Sequence, residues 1–188
     1  MLNLKIIIAS TRPGRVGAPV ARWVLERARH HDRFNASFAD LAEVQLPLLD
    51  EPKHPRLGAY EHAHTKAWSA IVKEADAFVI VTPEYNFGAP PALLNALDYL
   101  YNEWNYKPVS FVSYGGISGG LRSVQMTKQI VTTLKMMPIV EAVTIPFVAN
   151  HMKDGELQSS EQLEKSASAM LDELHRWATA LKPMRSEG

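Results

Sequence analysis

The stretch Ser10-Thr11-Arg12-Pro13-Gly14-Arg15-Val16-Gly17 combines hydroxyls, guanidinium groups and glycines in eight residues. It follows an apolar run, Leu4 to Ala9, that reads as a buried strand. Beyond it Val16, Val20, Trp23, Val24 and Ala28 recur at helical spacing. A strand therefore ends, a tight loop turns and a helix begins. Free N–H groups and the positive end of a helix dipole sit at such a loop, which suits a phosphate. Ser10 and Thr11 can donate hydroxyl hydrogen bonds, and Arg12 and Arg15 can add charge-assisted ones. Gly14 and Gly17 allow close backbone approach. The same residues would equally make an N-capped surface turn with two solvated arginines. No Gly-Lys-Ser/Thr ends the loop and no Gly-x-Gly-x-x-Gly is present, so it is neither a Walker A loop nor a dinucleotide fingerprint.

Two further loops carry unusual residues. Pro83-Glu84-Tyr85-Asn86-Phe87-Gly88 follows the apolar run Ala77–Val81. Tyr85 or Phe87 could stack on a flat heteroaromatic ligand, and Asn86 or backbone N–H groups could bond its ring atoms; a surface loop whose aromatics cap the core is the competing reading. Gly115-Gly116-Ile117-Ser118-Gly119-Gly120 follows another strand, Val109–Ser113, and opens another helix. Its backbone N–H groups could meet the edge of the same ring.

Elements must bring these loops together. Phe34 to Leu41 alternates as a second strand, and Ala42 to Leu57 is loop broken by Pro47, Pro52 and Pro55. Ala67, Trp68, Ile71, Val72 and Ala75 mark a second helix. Leu93, Leu97, Leu100, Tyr101 and Trp104 mark a third, opened by Pro90-Pro91. Leu121, Val124, Val131 and Leu134 mark a fourth helix, and Val140 to Ile145 a fifth strand. Phe147 to Gly155 reads as irregular. Leu163, Ala167, Met170, Leu174, Trp177 and Leu181 mark the last helix, and residues 182–188 read as a frayed tail. Strand and helix alternate, and the strands are continuous apolar runs, as in a parallel sheet covered on both faces. The expected fold is α/β: one domain over residues 1–188, a doubly wound five-stranded parallel sheet of order 2-1-3-4-5. Its ligand crevice would lie at the carboxyl ends of strands 1 and 3. The three special loops follow strands 1, 3 and 4, so they converge there.

Composition narrows the field. Twenty Lys and Arg balance 20 Asp and Glu, which argues against a nucleic-acid binder and against a strongly acidic electron carrier. Cysteine is absent, which excludes thiol catalysis, disulfides and Cys-ligated zinc or iron–sulfur centres. The N-terminus lacks the pattern of a signal peptide, and no apolar run approaches the roughly 20 residues of a membrane span. A cytoplasmic location is expected.

Ser10-Thr11-Arg12 after the first strand, Pro83-Glu84-Tyr85-Asn86 after the third and Gly115-Gly116 after the fourth together resemble the NADPH-dependent FMN reductase family, which also includes quinone and chromate reductases. Asp40-Leu41 with Leu46-Pro47, Pro91 to Asp98 and Lys107-Pro108-Val109 match as well, so the resemblance runs from about Leu4 to about Val148. It departs at Ala9, where the family often has glycine. The resemblance implies a flavodoxin-like fold, bound FMN and NADPH or NADH as co-substrate. Ser10, Arg12 and the Arg15–Val16 turn would hold the FMN phosphate. Pro83, Glu84, Tyr85, Asn86 and Phe87 would line the isoalloxazine, with Tyr85 and Asn86 orienting it. Ser113, Gly115 and Gly116 would approach its pyrimidine edge. Hydride would pass from nicotinamide to flavin N5 and on to a flavin, quinone or similar small-molecule acceptor, in ping-pong order, with no side chain needed as base. Glu84 is accordingly read as shaping the loop. The resemblance also implies a homodimer or homotetramer, for which the aromatics Tyr99, Tyr101, Trp104 and Tyr106 could provide a surface; burial within the monomer is the alternative.

Two other functions remain. A non-enzymatic FMN electron carrier would share the fold. A serine hydrolase is suggested by Gly116-Ile117-Ser118-Gly119-Gly120, with Asp154 and His175 downstream in triad order, although His175 lies on the last amphipathic helix. His54, His62 and His64 have no convincing metal-ligand pattern.

Overall fold

The computed structural model describes residues 1–185 of the chain. Five long or paired stretches form a parallel sheet. They are β1 (Leu2–Ile8), β2 (Phe34–Asp40), β3 (Ala77–Pro83), β4 (Pro108–Tyr114) and an edge strand in two pieces, β5 (Met137–Pro138) and β6 (Val143–Ile145). The order is β2-β1-β3-β4-β5, with β6 also on β4. The strand order therefore reverses between β1 and β3, as a flavodoxin-like fold requires.

Alternation along the strands divides the core into two layers. Ile6, Ile8, Val79, Val81 and Val112 face helices α1 (Gly17–His30) and α6 (Glu161–Leu181). Ile7, Phe78, Ile80 and Phe111 face α3 (Ala63–Lys73), α4 (Pro91–Asp98) and α5 (Leu121–Thr133). All nine are at most 3% exposed, and each contributes about 1.5–3 kcal/mol by leaving water. Ala9, at the departure from the family pattern, is fully buried in the second layer.

The fifth strand differs from the sequence expectation. It begins at Met137, not Val140, and breaks in the middle. Val109 pairs with Pro138 and Val112 with Val143, so the edge strand carries two extra residues between those pairs. Val140 bulges outward, 83% exposed. The Ser110 hydroxyl donates to the displaced Glu141 carbonyl at 2.6 Å. Pro138 lacks an N–H, which is tolerated at a sheet edge.

The third helix ends at Asp98 rather than running to Trp104, and a 3₁₀ turn, Asn102–Trp104, follows. Tyr99 and Trp104 are fully buried inside the chain, so neither offers an interface; Tyr101 and Tyr106 are half-buried. The 42–57 region opens with a short helix, α2 (Leu41–Val44), and its remainder lies over α4, held by Asn95 and Tyr99 on the Pro47 carbonyl at 2.6 and 3.1 Å. Residues 147–157 are a 3₁₀ turn plus a hairpin, β7 (Met152–Lys153) and β8 (Glu156–Leu157).

The expected frayed tail is ordered where it is described. Lys182–Arg185 form a 3₁₀ turn, and Arg185 and Lys182 both reach Asp76, at 2.7 and 3.1 Å. The remaining tail residues, 186–188, lie outside the described residues. Lys107 also has a structural task. Its buried Nζ donates to the Val72 and Lys73 carbonyls at 2.8 and 3.2 Å, closing the end of α3.

Candidate functional site

The three singled-out loops meet at the carboxyl ends of β1, β3 and β4. Their register fixes this, since Ile8 pairs with Val81 and Pro83 with Tyr114.

In the first loop Ser10 is anchored from both sides. Tyr114 donates its hydroxyl to Ser10 Oγ at 3.1 Å. Arg15 donates to the Ser10 carbonyl at 2.7 Å. Burial pushes the Tyr114 phenol up to about 12, against the opposing effect of the Ser10 hydrogen bond, so it stays protonated. Gly17 has to be glycine here, because a Cβ would collide with Ser10 Oγ and lie 2.7 Å from the Tyr114 hydroxyl. Arg15 differs from its expected role. Its guanidinium turns inward and grips Asp40 with two bonds of 2.6 Å. The pair is mostly buried, at 18% and 9% side-chain exposure. Asp40 also caps α2 through the Ala42 N–H at 3.0 Å. Arg15 thus rivets the loop to β2, while Thr11 and Arg12 are the members left exposed. Helix α1 begins at Val16, which supplies no side-chain cap, and no acid occupies its first turn. The N–H groups there are open to an anion.

The second loop is a tight turn. Tyr85 and Gly88 exchange two backbone bonds of 3.0 and 2.9 Å. Asn86 and Phe87 occupy left-handed backbone, φ 49° and 70°. Asparagine tolerates that region; for phenylalanine it is strained, at about 1–3 kcal/mol. Phe87 projects outward, 69% exposed, with the Arg122 guanidinium 4.1 Å from its ring centre. Glu84 turns toward the third loop and the start of α5. It accepts from the Ser118 hydroxyl at 2.8 Å, the Arg122 N–H at 3.0 Å and Arg122 Nη1 at 2.7 Å. Burial opposes its charge, but these donors win and hold the carboxyl below its usual range.

In the third loop Gly115 donates to the Ile145 carbonyl at 3.3 Å, and the Gly115 and Gly116 carbonyls accept from Val148 and Phe147 at 3.0 and 2.9 Å. No atom stands within 4 Å of where a Gly116 Cβ would be, so this backbone faces open space. Ser113 is 1% exposed, as Ser10 is, and a Cβ on Gly120 would lie 2.9 Å from its own Cβ. It packs under the start of α5, with its hydroxyl buried and without a hydrogen-bond partner.

The hydrolase geometry is absent. Ser118 donates to an ion-paired carboxylate and accepts from Gly120 N–H at 3.3 Å. His175 stands at the other end of the sheet, its ring 5.6 Å from that of Phe34, the first residue of β2. His64 bonds Asp50 at 2.9 Å and stacks on His62. Among the described residues no group of three His, Asp or Glu is placed to hold a metal.

Sequence reasoning missed the roles of Tyr114 and Asp40. Tyr114 could have been found by alternation, since it shares the α1 side of β4 with Val112. Asp40 ends β2 next to the switch point, but no local pattern names Arg15 as its partner.

A doubly wound sheet with an uncapped helix terminus, an outward arginine and an aromatic turn at its switch point defines a flavodoxin-like flavoprotein. The NADPH-dependent FMN reductase model matches residues 2–150. The chain belongs to that family and is an FMN- and NAD(P)H-dependent oxidoreductase. It is 43% identical over 148 residues to an NAD(P)H-dependent FMN reductase of Schizosaccharomyces pombe, covering 77% of this chain and 74% of that protein. A quinone reductase of Escherichia coli is 32% identical over 143 residues, 72% of each chain. The solved NAD(P)H:acceptor oxidoreductase FerB of Paracoccus denitrificans shares the fold, with TM-score 0.76 at 19% identity over 96% of this chain and 98% of that one.

Proposed function

We propose that the chain is a single flavin-binding domain, residues 1–188, that takes hydride from NADPH or NADH and passes electrons to a flavin, a quinone or a similar small acceptor in ping-pong order. The carrying observation is the convergence at one switch point of an uncapped α1 N-terminus with outward Thr11 and Arg12, an aromatic turn and an open Gly116 backbone. The FMN phosphate is held by the α1 N–H groups, Ser10, Thr11 and Arg12, with Val16 opening the helix and Arg15 bracing the loop. Pro83, Tyr85, Asn86 and Phe87 position the ring, and the Gly116 backbone, with Gly115 tied to Ile145 beside it, meets its pyrimidine edge. When bound, FMN supplies the hydride-accepting chemistry. The protein's part is orientation, donor placement and water exclusion. Phe87, Ile117 and Phe147, each more than half exposed, rim this end and favour a flat apolar partner over a charged one.

Donor and acceptor would enter the same open mouth of the crevice in turn. Double-reciprocal plots should therefore give parallel lines when NADPH and acceptor are varied. Stopped-flow mixing with NADPH or NADH should bleach the flavin band near about 450 nm. If neither nucleotide does so, the protein is an electron carrier.

The oligomer is proposed as a homodimer or a tetramer of dimers. Its support shifts from Tyr99 and Trp104, which are buried, to Leu48 and Leu57 on the loop over α4, 83% and 68% exposed. Light scattering should show at least twice the chain mass. A cytoplasmic location is proposed from the absence of cysteine; no helix among the described residues is long and apolar enough to cross a membrane.

A further inference from the structure

One carboxylate joins the two loops that flank the proposed ring position. Helix α5 starts on Gly120, which has no side chain, and has no acid in its first turn. Its cap comes from 38 residues away, where Glu84 accepts the Arg122 N–H. The same carboxylate takes the Ser118 hydroxyl and Arg122 Nη1. Its side chain is 9% exposed. Glu84 immediately precedes Tyr85, so it is the root of the strained turn that holds Asn86 and Phe87 in left-handed backbone. Three donors from the α5 side hold that root in place.

Charge follows the same geometry. The N-terminus of α5 carries about half a positive charge, and Arg122 adds a full one beside it. Both flank the Gly115–Gly120 loop. The Glu84 carboxylate offsets them where negative charge would develop on a reduced ring.

We propose that Glu84 is a positioning residue that locks the 85–88 turn onto the start of α5 and keeps the reduction potential of the bound flavin low. This rests on the flavin lying between the two loops. Removing the carboxylate's charge frees the α5 terminus and Arg122 to stabilise the reduced, anionic ring, so the potential must rise.

The test compares wild type, Glu84→Gln and Glu84→Ala, with folding verified by circular dichroism and urea midpoint. Spectroelectrochemical titration of each holoenzyme reads the potential. Glu84→Gln keeps the shape and one acceptor oxygen. Its affinity ratio for reduced over oxidised FMN should rise about tenfold, equivalent to ~30 mV in a two-electron couple. In apo-protein, Glu84→Ala should also speed amide exchange at Tyr85, Gly88 and Arg122. An unchanged potential in Glu84→Gln, or wild-type exchange in Glu84→Ala, overturns the proposal. Should Glu84→Ala not fold, Glu84→Gln decides it through the potential. A misplaced flavin is distinguishable: Tyr85→Ala and Asn86→Ala would then leave FMN affinity and the visible spectrum unchanged, which overturns both readings.

Discussion

The two ends of the sheet treat charge in opposite ways. At the amino ends the charges meet partners. Lys5 faces Glu74 at 3.4 Å, Asp76 takes the Asn3 N–H, Lys182 and Arg185, and Lys107 caps α3. At the carboxyl ends Arg15, Asp40 and Glu84 are paired to build loops, while Thr11, Arg12 and the α1 N–H groups are left facing outward. A cavity of about 740 Å³ nevertheless lies at the amino ends, lined by Lys73, Asp76, Glu103, Lys107 and Arg185. Volume therefore does not locate the site. The outward donors Thr11, Arg12 and the α1 N–H groups, gathered at the switch point, do.

The contrast between the two ends of the sheet fails if the ring does not sit at the open one. Tyr85→Ala and Asn86→Ala should each slow flavin reduction by NADPH about a hundredfold, since small misplacements of reacting atoms cost that much. Stopped-flow bleaching measures it; near-wild-type rates would remove the turn from the site. Ser118→Ala, by contrast, should keep reductase activity close to wild type.

Two arginines of one loop sharpen it. Arg12→Ala should weaken FMN binding by about 1.5–3 kcal/mol, the loss of a hydrogen bond to a charged group. Its riboflavin affinity should stay the same, and fluorescence titration compares the two ligands. Arg15→Ala should instead lower the urea midpoint, because it strands the mostly buried Asp40 carboxylate.

The paired end should answer to pH and not to ligand. Burial pushes the Lys107 amine down to about 7 in the fold, against 10.5 in the unfolded chain. Between those values the unfolded chain binds the extra proton, so stability rises with pH. Urea midpoints of wild type should increase from pH about 7 to about 9.5, and Lys107→Met should lose that increase while binding FMN normally. A shift in its FMN affinity would couple the two ends and undo the distinction.

The smallest effect belongs to the tail. Arg185→Ala should cost only about 1 kcal/mol: the pair is as shielded as Arg15–Asp40, at 17% and 11% side-chain exposure, but Asp76 keeps the Asn3 N–H and Lys182 as partners. Burial raises the Asp76 carboxyl, but Asn3, Lys182 and Arg185 together hold it below its usual range, and without Arg185 it should titrate closer to that range. Its contribution is present above pH about 4 and lost on acidification, so the acid limb of the stability curve should soften in Arg185→Ala.

Much of this molecule is local in origin. The apolar runs of β1, β3 and β4 and the helical spacing of Trp23, Trp68 and Leu174 determine element type, because period and burial are properties of neighbouring residues. Strand–helix alternation and handed crossovers then determine which loops share an end of the sheet. That is why Ser10–Gly17, Pro83–Gly88 and Gly115–Gly120 could be grouped from sequence. The tertiary structure decided what each side chain does there. Arg12 and Arg15 are three residues apart and chemically alike, yet only contact with Asp40, 25 residues on, turns Arg15 inward. Glu84 and Arg122 are 38 apart, and Tyr114 reaches Ser10 across 104. The displaced Glu141 carbonyl in the broken edge strand finds its partner in Ser110 of the neighbouring strand. Pairing across the fold is set by distance in space, and no spacing along the chain encodes it.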